Sequence, residues 1–166
     1  MFSYQFPMCS AAATMVIIYN NTVLLGLRGN TDTGYSNYWA LPGGFLNAQG
    51  IDTENAIHNG ETIEETAIRE TFEETNIKIS KDQLQLFHIG SNQNYQTNIQ
   101  VINACYIIKI NDDQAKYAKA GDDLLELKWL NFFNAKKEKL AFDHNFILNK
   151  GLDIAIGKKV FICCKN

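Results

Sequence analysis

Only two prolines, Pro7 and Pro42, occur in 166 residues, so no proline-rich linker divides the chain. The four cysteines, Cys9, Cys105, Cys163 and Cys164, include no C-x-x-C pair. The last two are adjacent, a spacing that suits neither a zinc ribbon nor an ordinary disulfide, and reduced thiols are expected. Positive charge is also short: 15 Lys and Arg against 18 Asp and Glu leave a net charge of −3. That balance excludes a broad basic surface for tracking nucleic-acid phosphates. No apolar run approaches the ~18 residues of a membrane span, and the apolar N-terminal stretch has no basic leader. A cytoplasmic location is expected, with no membrane or nucleic-acid partner. Internal repeats and low-complexity tracts are missing as well.

What remains is ordinary for one globular domain covering residues 1–166, with 46% apolar and 20% charged residues. "AAATMVIIY", "NN" and "TVLLGLR" read as a hairpin with strands near 12–19 and 22–28, since Asn tolerates the positive φ of a tight turn. "YWALPGGF" reads as a short strand ending in Pro42-Gly43-Gly44, where two glycines let the backbone turn and approach a neighbour. Residues at about 49–59 lack a clean period and read as an inserted loop or a poor helical turn. "QLQLFHIG", "IQVINACYIIKI" and "LLELKWLNF" read as strands, the last with Leu125, Leu127 and Trp129 on one face. "NDDQAKYAKAGDD" reads as a polar loop, "NFILNKGLDIAI" as a terminal helix and "KVFICC" as a last strand. Strands on both sides of one central helix predict an α/β (α+β) sandwich around a mixed sheet.

That central helix carries the strongest signal. Thr62 with Glu65 makes a capping box, and Asn76 suits a left-handed stop, so the helix is expected over about 62–75. Glu70, Glu73 and Glu74 fall within about 100° of its circumference, while Ile68 and Phe72 point the other way and read as the packing face. A solvated charged face would interleave lysines at four-residue spacing. This helix has only Arg69, placed for Glu65, and it sets Glu70 against Glu74. Glu73 and Glu74 also sit in the last turn, where the helix dipole disfavours negative charge. Penalties stacked at one place imply a compensating charge from outside the chain, and clustered carboxylates suit a hard divalent cation, Mg2+ or Mn2+.

Glu61, seven residues, Arg69-Glu70, Glu73-Glu74 and Ile77 resemble the signature of the Nudix hydrolases. Thr71 stands where an apolar residue is usual, and Asn76 replaces glycine. "LPGGFLN" resembles the start of the signature, which aligns Gly44 with its first glycine and makes the residues at about 49–59 an insertion. The resemblance implies an α/β/α sandwich with a mixed central sheet. It also implies metal-dependent hydrolysis of a nucleoside diphosphate linked to another group. By position, Glu70, Glu73, Glu74 and the Gly44 carbonyl would hold Mg2+ or Mn2+, Arg69 would orient the carboxylates, and Glu61 would support the loop. A late general base would come from Asp122, Asp123 or Glu126, which also read as a polar turn before a strand.

"YWALPGGFL", "KAGDDLLELKWL" and "LAFDHNFIL" resemble the ADP-ribose-cleaving branch, which implies a small-molecule nucleotide substrate, AMP and ribose 5-phosphate as products, and a homodimer. Arg28 and Phe45 are candidate substrate contacts, with Tyr35 and Tyr38 as alternative aromatic shelves; Trp39, Trp129 and His144 read as structural. A MutT-like nucleoside triphosphate pyrophosphohydrolase, acting also on oxidised nucleotides, is the alternative enzyme. An ADP-ribose-sensing regulator is the remote one, because 166 residues leave no room for a winged helix-turn-helix and show no basic patch.

Overall fold

The computed structural model describes residues 9–30, 34–51, 57–94 and 99–158. The expected strand "KVFICC", and with it Cys163 and Cys164, lies outside them. Strand β1 (Cys9–Tyr19) turns through Asn20 and Asn21 into β2 (Thr22–Arg28). Both asparagines are left-handed, with φ of 43° and 59°, as a two-residue hairpin turn demands. β1 pairs with β2 only at the turn, Ile18 opposite Val23. The two strands then part, and the segment expected as one short strand fills the opening as two. β3 (Trp39–Ala40) pairs with β2, and β4 (Gly43–Phe45) pairs with β1. Pro42 sits between them and its carbonyl accepts from Met15 N.

β7 (Gln85–Asn94), β8 (Ile99–Lys109) and β9 (Leu124–Asn131) complete the larger sheet. Its order is β3-β2-β1-β8-β7, with β9 against β2, and among these described strands β1 and β8 alone pair in parallel. Within the segment expected as an inserted loop or a poor helical turn, β5 (Gly50–Ile51) instead pairs with β6 (Ile57–His58) in a small separate sheet. Two short helices, α2 (Asp112–Ala115) and α3 (Phe132–Ala135), fall where only loop and strand were expected. Each begins at an asparagine whose side-chain oxygen accepts from the backbone N–H three residues on, Asn111 from Gln114 and Asn131 from Asn134.

Helices cover both faces of the sheet. α4 (His144–Ala155) buries His144, Ile147, Leu148, Gly151 and Leu152, one stripe at helical spacing, against Val16, Val23, Leu25 and Ile107. A Cβ on Gly151 would stand 2.9 Å from Val16 Cγ2, so glycine sets how closely α4 approaches β1. α1 (Ile63–Thr75) covers the other face with Ala67 among Met15, Ile17, Leu24 and Ile108. The α/β/α sandwich is thus present. Leu127 and Trp129 pack on the α1 side, while Leu125 is exposed. No helix among the described residues is long and apolar enough to cross a membrane.

One expectation is reversed. Phe72, assigned to the packing face of α1, is 42% exposed, whereas Glu70 and Glu74 are 8% and 4% exposed. The inner side of α1 is made of Thr66, Ala67, Glu70, Thr71, Glu74 and Thr75. It packs on β1 and on the glycines of β4, where the close approach admits small side chains and where polar partners await the carboxylates. Burial here follows from hydrogen bonding rather than from hydropathy.

Candidate active site

The site begins with the two glycines of β4. Gly43 has φ of 148°, and a Cβ there would stand 2.1 Å from the Ala13 carbonyl oxygen. No other residue fits. That tight run along β1 aims the Gly43 N–H at Glu74 Oε2, 2.8 Å away. It also sets Gly44 against Glu70, so closely that a Cβ on Gly44 would fall 2.5 Å from the carboxylate carbon.

Arg69 organises the neighbouring acids with all five of its N–H donors. Nε and Nη2 grip the two oxygens of Glu61 at 3.0 and 2.7 Å, and Nη2 also donates to the Phe45 carbonyl at 2.9 Å. Nη1 donates to Glu70 Oε1 at 2.7 Å and Glu73 Oε2 at 2.8 Å. The expected Arg69–Glu65 pair is not what forms. Glu65 instead accepts from Thr62 N in the capping box, and Arg69 turns toward the three acids that have no cap to serve. Asn76 ends the helix in a left-handed conformation, φ 57°, as its place in the sequence suggested.

Glu61 also accepts from Asn47 N at 2.8 Å and Thr66 Oγ1 at 3.0 Å, while its own N–H donates to the Asn47 carbonyl. Asn47 and Glu61 therefore close the base of the insertion. The strand before it and the helix after it meet as though the intervening residues were not there.

Charge and burial pull Glu61, Glu70 and Glu74 apart. The hydrogen bonds from Arg69 hold Glu61 down at about 2. Burial pushes Glu70 up against the opposing pull of Arg69. Burial also raises Glu74 to about 8, opposed by the Gly43 N–H and reinforced by the negative charges of Asp123 and Glu70. Glu73 lies at the rim, its side chain 46% exposed.

The later candidates separate into three environments. Asp123 is ion-paired to Arg28 at 3.3 Å, and Arg28, 12% exposed, also lies over the Phe142 ring. Arg28 Nε and Asp123 Oδ1 are buried without hydrogen-bond partners. Asp122 is exposed in a left-handed conformation, φ 50°, and its charge is felt at Glu70. Glu126 lies on β9 in step with Leu130, which packs with the α4 core, so it faces away from α1.

Among the aromatics, Phe45 is 56% exposed beside Arg69. Tyr35 packs on Tyr38 and Phe142. Buried His144 accepts from Leu41 N through Nδ1 and is lowered to about 4 by burial, so it is a neutral structural group. Trp39 and Trp129 pack against the two cores. Two participants escaped the sequence reading. The Gly43 amide was half-signalled by the double glycine, and Phe142 by nothing that separates it from a core aromatic.

The donor set fits a hard divalent cation: carboxylates with no sulfur or imidazole, beside a glycine whose missing side chain leaves its backbone open to Glu70. Among the described residues no three acidic, His or Cys side chains converge on one point. Arg69 Nη1 instead occupies the ground between Glu70 and Glu73.

The comparisons with known proteins agree with this architecture. The family model "NUDIX domain" matches residues 10–149. An ADP-ribose pyrophosphatase of Methanocaldococcus jannaschii is 32% identical over 139 residues, covering 84% of this chain and 70% of that protein. A MutT/nudix family protein from Enterococcus faecalis superposes with a TM-score of 0.69 at 26% identity, covering 94% of this chain; this chain spans 65% of that one. The NUDIX domain of Shewanella oneidensis NrtR, solved with ADP ribose, gives a TM-score of 0.69 at 19% identity, with 90% of each chain covered. The matched span takes in β4, α1 and the Arg69-centred glutamates, and the chain belongs to the Nudix hydrolase family.

Proposed function

We propose that this chain hydrolyses a nucleoside diphosphate linked to a second group, with ADP-ribose as substrate and AMP and ribose 5-phosphate as products. The observation that carries the reading is the inward-facing acidic side of α1, closed over by Gly43 and Gly44 and fastened by one arginine. Such a surface is costly to bury unless a cation and a polyanion complete it. The similarity to the Methanocaldococcus jannaschii ADP-ribose pyrophosphatase supports the choice of substrate.

In this reading Glu70, Glu73, Glu74 and the Gly44 carbonyl hold Mg2+ or Mn2+. When bound, the ion would neutralise diphosphate oxygens and lower the pKa of a water molecule. The chain's own residues do the rest. Arg69 fixes the directions of Glu70 and Glu73, and Glu61 fixes Arg69 through both oxygens. Asp122, exposed on its loop and sensed by Glu70, is the best placed of the three late acids to accept a proton from the attacking water. Asp123 is engaged by Arg28, and Glu126 faces the other side of the sheet. Phe45 offers its exposed ring to the purine. Water adds to one phosphorus of the diphosphate as the bridging P–O bond breaks, leaving a phosphate on each product.

A substrate panel with Mg2+ tests this. ADP-ribose should turn over fastest and yield AMP and ribose 5-phosphate by chromatography. Equal or faster turnover of dGTP or its oxidised analogue would replace this reading with triphosphate pyrophosphohydrolysis.

A further inference from the structure

The C-terminal turn of α1 carries Glu73 and Glu74 and has no basic residue to offset them. Its end carbonyls find partners outside the helix. Lys119 N donates to Thr75 O at 2.9 Å and Gly121 N to Glu74 O at 3.0 Å. The Asn76 side chain reaches back the other way, Nδ2 donating to the Tyr117 carbonyl at 3.0 Å. The far end of the same segment is fastened to β2, where Gly29 N donates to the Asp123 carbonyl at 2.8 Å and Arg28 pairs with the Asp123 carboxylate. Glu74 and Thr75 are buried, so without these donors their carbonyls would be left unpaired out of reach of water.

The docking depends on one missing side chain. A Cβ on Gly121 would stand 2.4 Å from the Glu73 carbonyl oxygen, a backbone atom that moves only if the helix turn moves.

We propose that residues 117–123 form a clamp that sets the position of the helix turn bearing Glu73 and Glu74, with Gly121 as its positioning residue. The clamp rests on the reading of that turn as the cation-holding edge of the site. It acts through the backbone and contributes no ligand itself.

Gly121→Ala tests it, with Gly50→Ala as the control, since a Cβ on Gly50 meets nothing within 4 Å. Mn2+ binding without nucleotide, read by paramagnetic resonance, should weaken at least about tenfold in Gly121→Ala and stay unchanged in Gly50→Ala. With ADP-ribose, kcat should fall at least about tenfold while KM stays within about threefold. In the wild-type protein, the Lys119 and Gly121 amides should exchange with solvent as slowly as those of α1. Wild-type Mn2+ binding by folded Gly121→Ala, or unprotected amides in the wild type, would overturn the clamp; the exchange measurement decides even if the variant does not fold. Loss of Mn2+ binding in the variant, with no ADP-ribose cleavage by either protein, would uphold the clamp and reject the substrate.

Discussion

Replacing Glu74 with glutamine separates what the buried carboxyl costs the fold from what it gives the chemistry. Burial raises Glu74 from its ordinary 4.5 to about 8, so the folded chain holds this proton more tightly than the unfolded one. Between those values the unfolded chain has released the proton and the folded chain has not. Metal-free stability therefore falls as pH rises from about 4.5 to about 8, then levels. At about 1.4 kcal/mol per pH unit, the penalty exceeds about 3 kcal/mol near pH 7. Glutamine keeps an oxygen for the Gly43 N–H and never ionises, so Glu74→Gln should escape that penalty. For a chain of this size, the variant should melt about 6–12 °C above the wild type at pH 7 and close to it at pH 4.5.

Calorimetric melting from pH 4.5 to 8.5 in chelator reads the gap directly. Saturating Mg2+ should then raise the wild type and leave Glu74→Gln almost unmoved, because only the former gains from binding. Turnover should fall by orders of magnitude in the variant. Parallel melting curves across the whole range would refute the burial argument, and turnover within about threefold of wild type would refute the metal role.

Three further substitutions probe the surroundings. Arg69→Lys keeps the charge but cannot reproduce the five-donor fork, and should cost about 2 kcal/mol in urea unfolding together with most of the activity; unchanged stability would show that the hub is not structural. Gly44→Ala places a Cβ 2.5 Å from the Glu70 carboxylate carbon and should lower kcat at least about tenfold, with wild-type kcat refuting the close packing. Phe45→Ala removes an exposed ring, so stability should change by less than about 0.5 kcal/mol. KM for ADP-ribose should rise about tenfold as base stacking is lost, and an unchanged KM would remove Phe45 from the site.

Much of this arrangement was legible in the sequence where local chemistry decides. The Thr62–Glu65 capping box, the left-handed Asn20, Asn21 and Asn76, and the α4 stripe each follow from a few neighbouring residues. The crowding of Glu70, Glu73 and Glu74 was legible too, as a set of penalties without a local remedy. Which side of α1 faces inward was not. Hydropathy favours Phe72, but the inward face is chosen by the Gly43 amide, which reaches Glu74 across a gap of 31 residues. Likewise "YWALPGGF" shows no sign of division, because the break at Pro42 reflects β1 and β2 parting elsewhere in the sheet. Arg28 and Asp123 are far apart in the chain, and neither announces the other.

The arginines also explain why the site can fold before any cation arrives. Arg69 carries one positive charge and touches Glu61, Glu70 and Glu73; Arg28 meets Asp123 and partly offsets Glu74. Each arginine thus holds an acid that its neighbours would repel, but together they leave the cluster of four glutamates short of neutral. Raising Glu74 is how the folded chain lowers that remaining charge at neutral pH, by keeping a proton where the proposed ion would sit. Binding of a divalent ion should therefore expel a proton near pH 7. Calorimetric titration with Mg2+ in buffers of differing ionisation enthalpy should show release of close to one proton per site in the wild type and none in Glu74→Gln. No buffer dependence in the wild type would mean that the ion and the proton do not compete for Glu74.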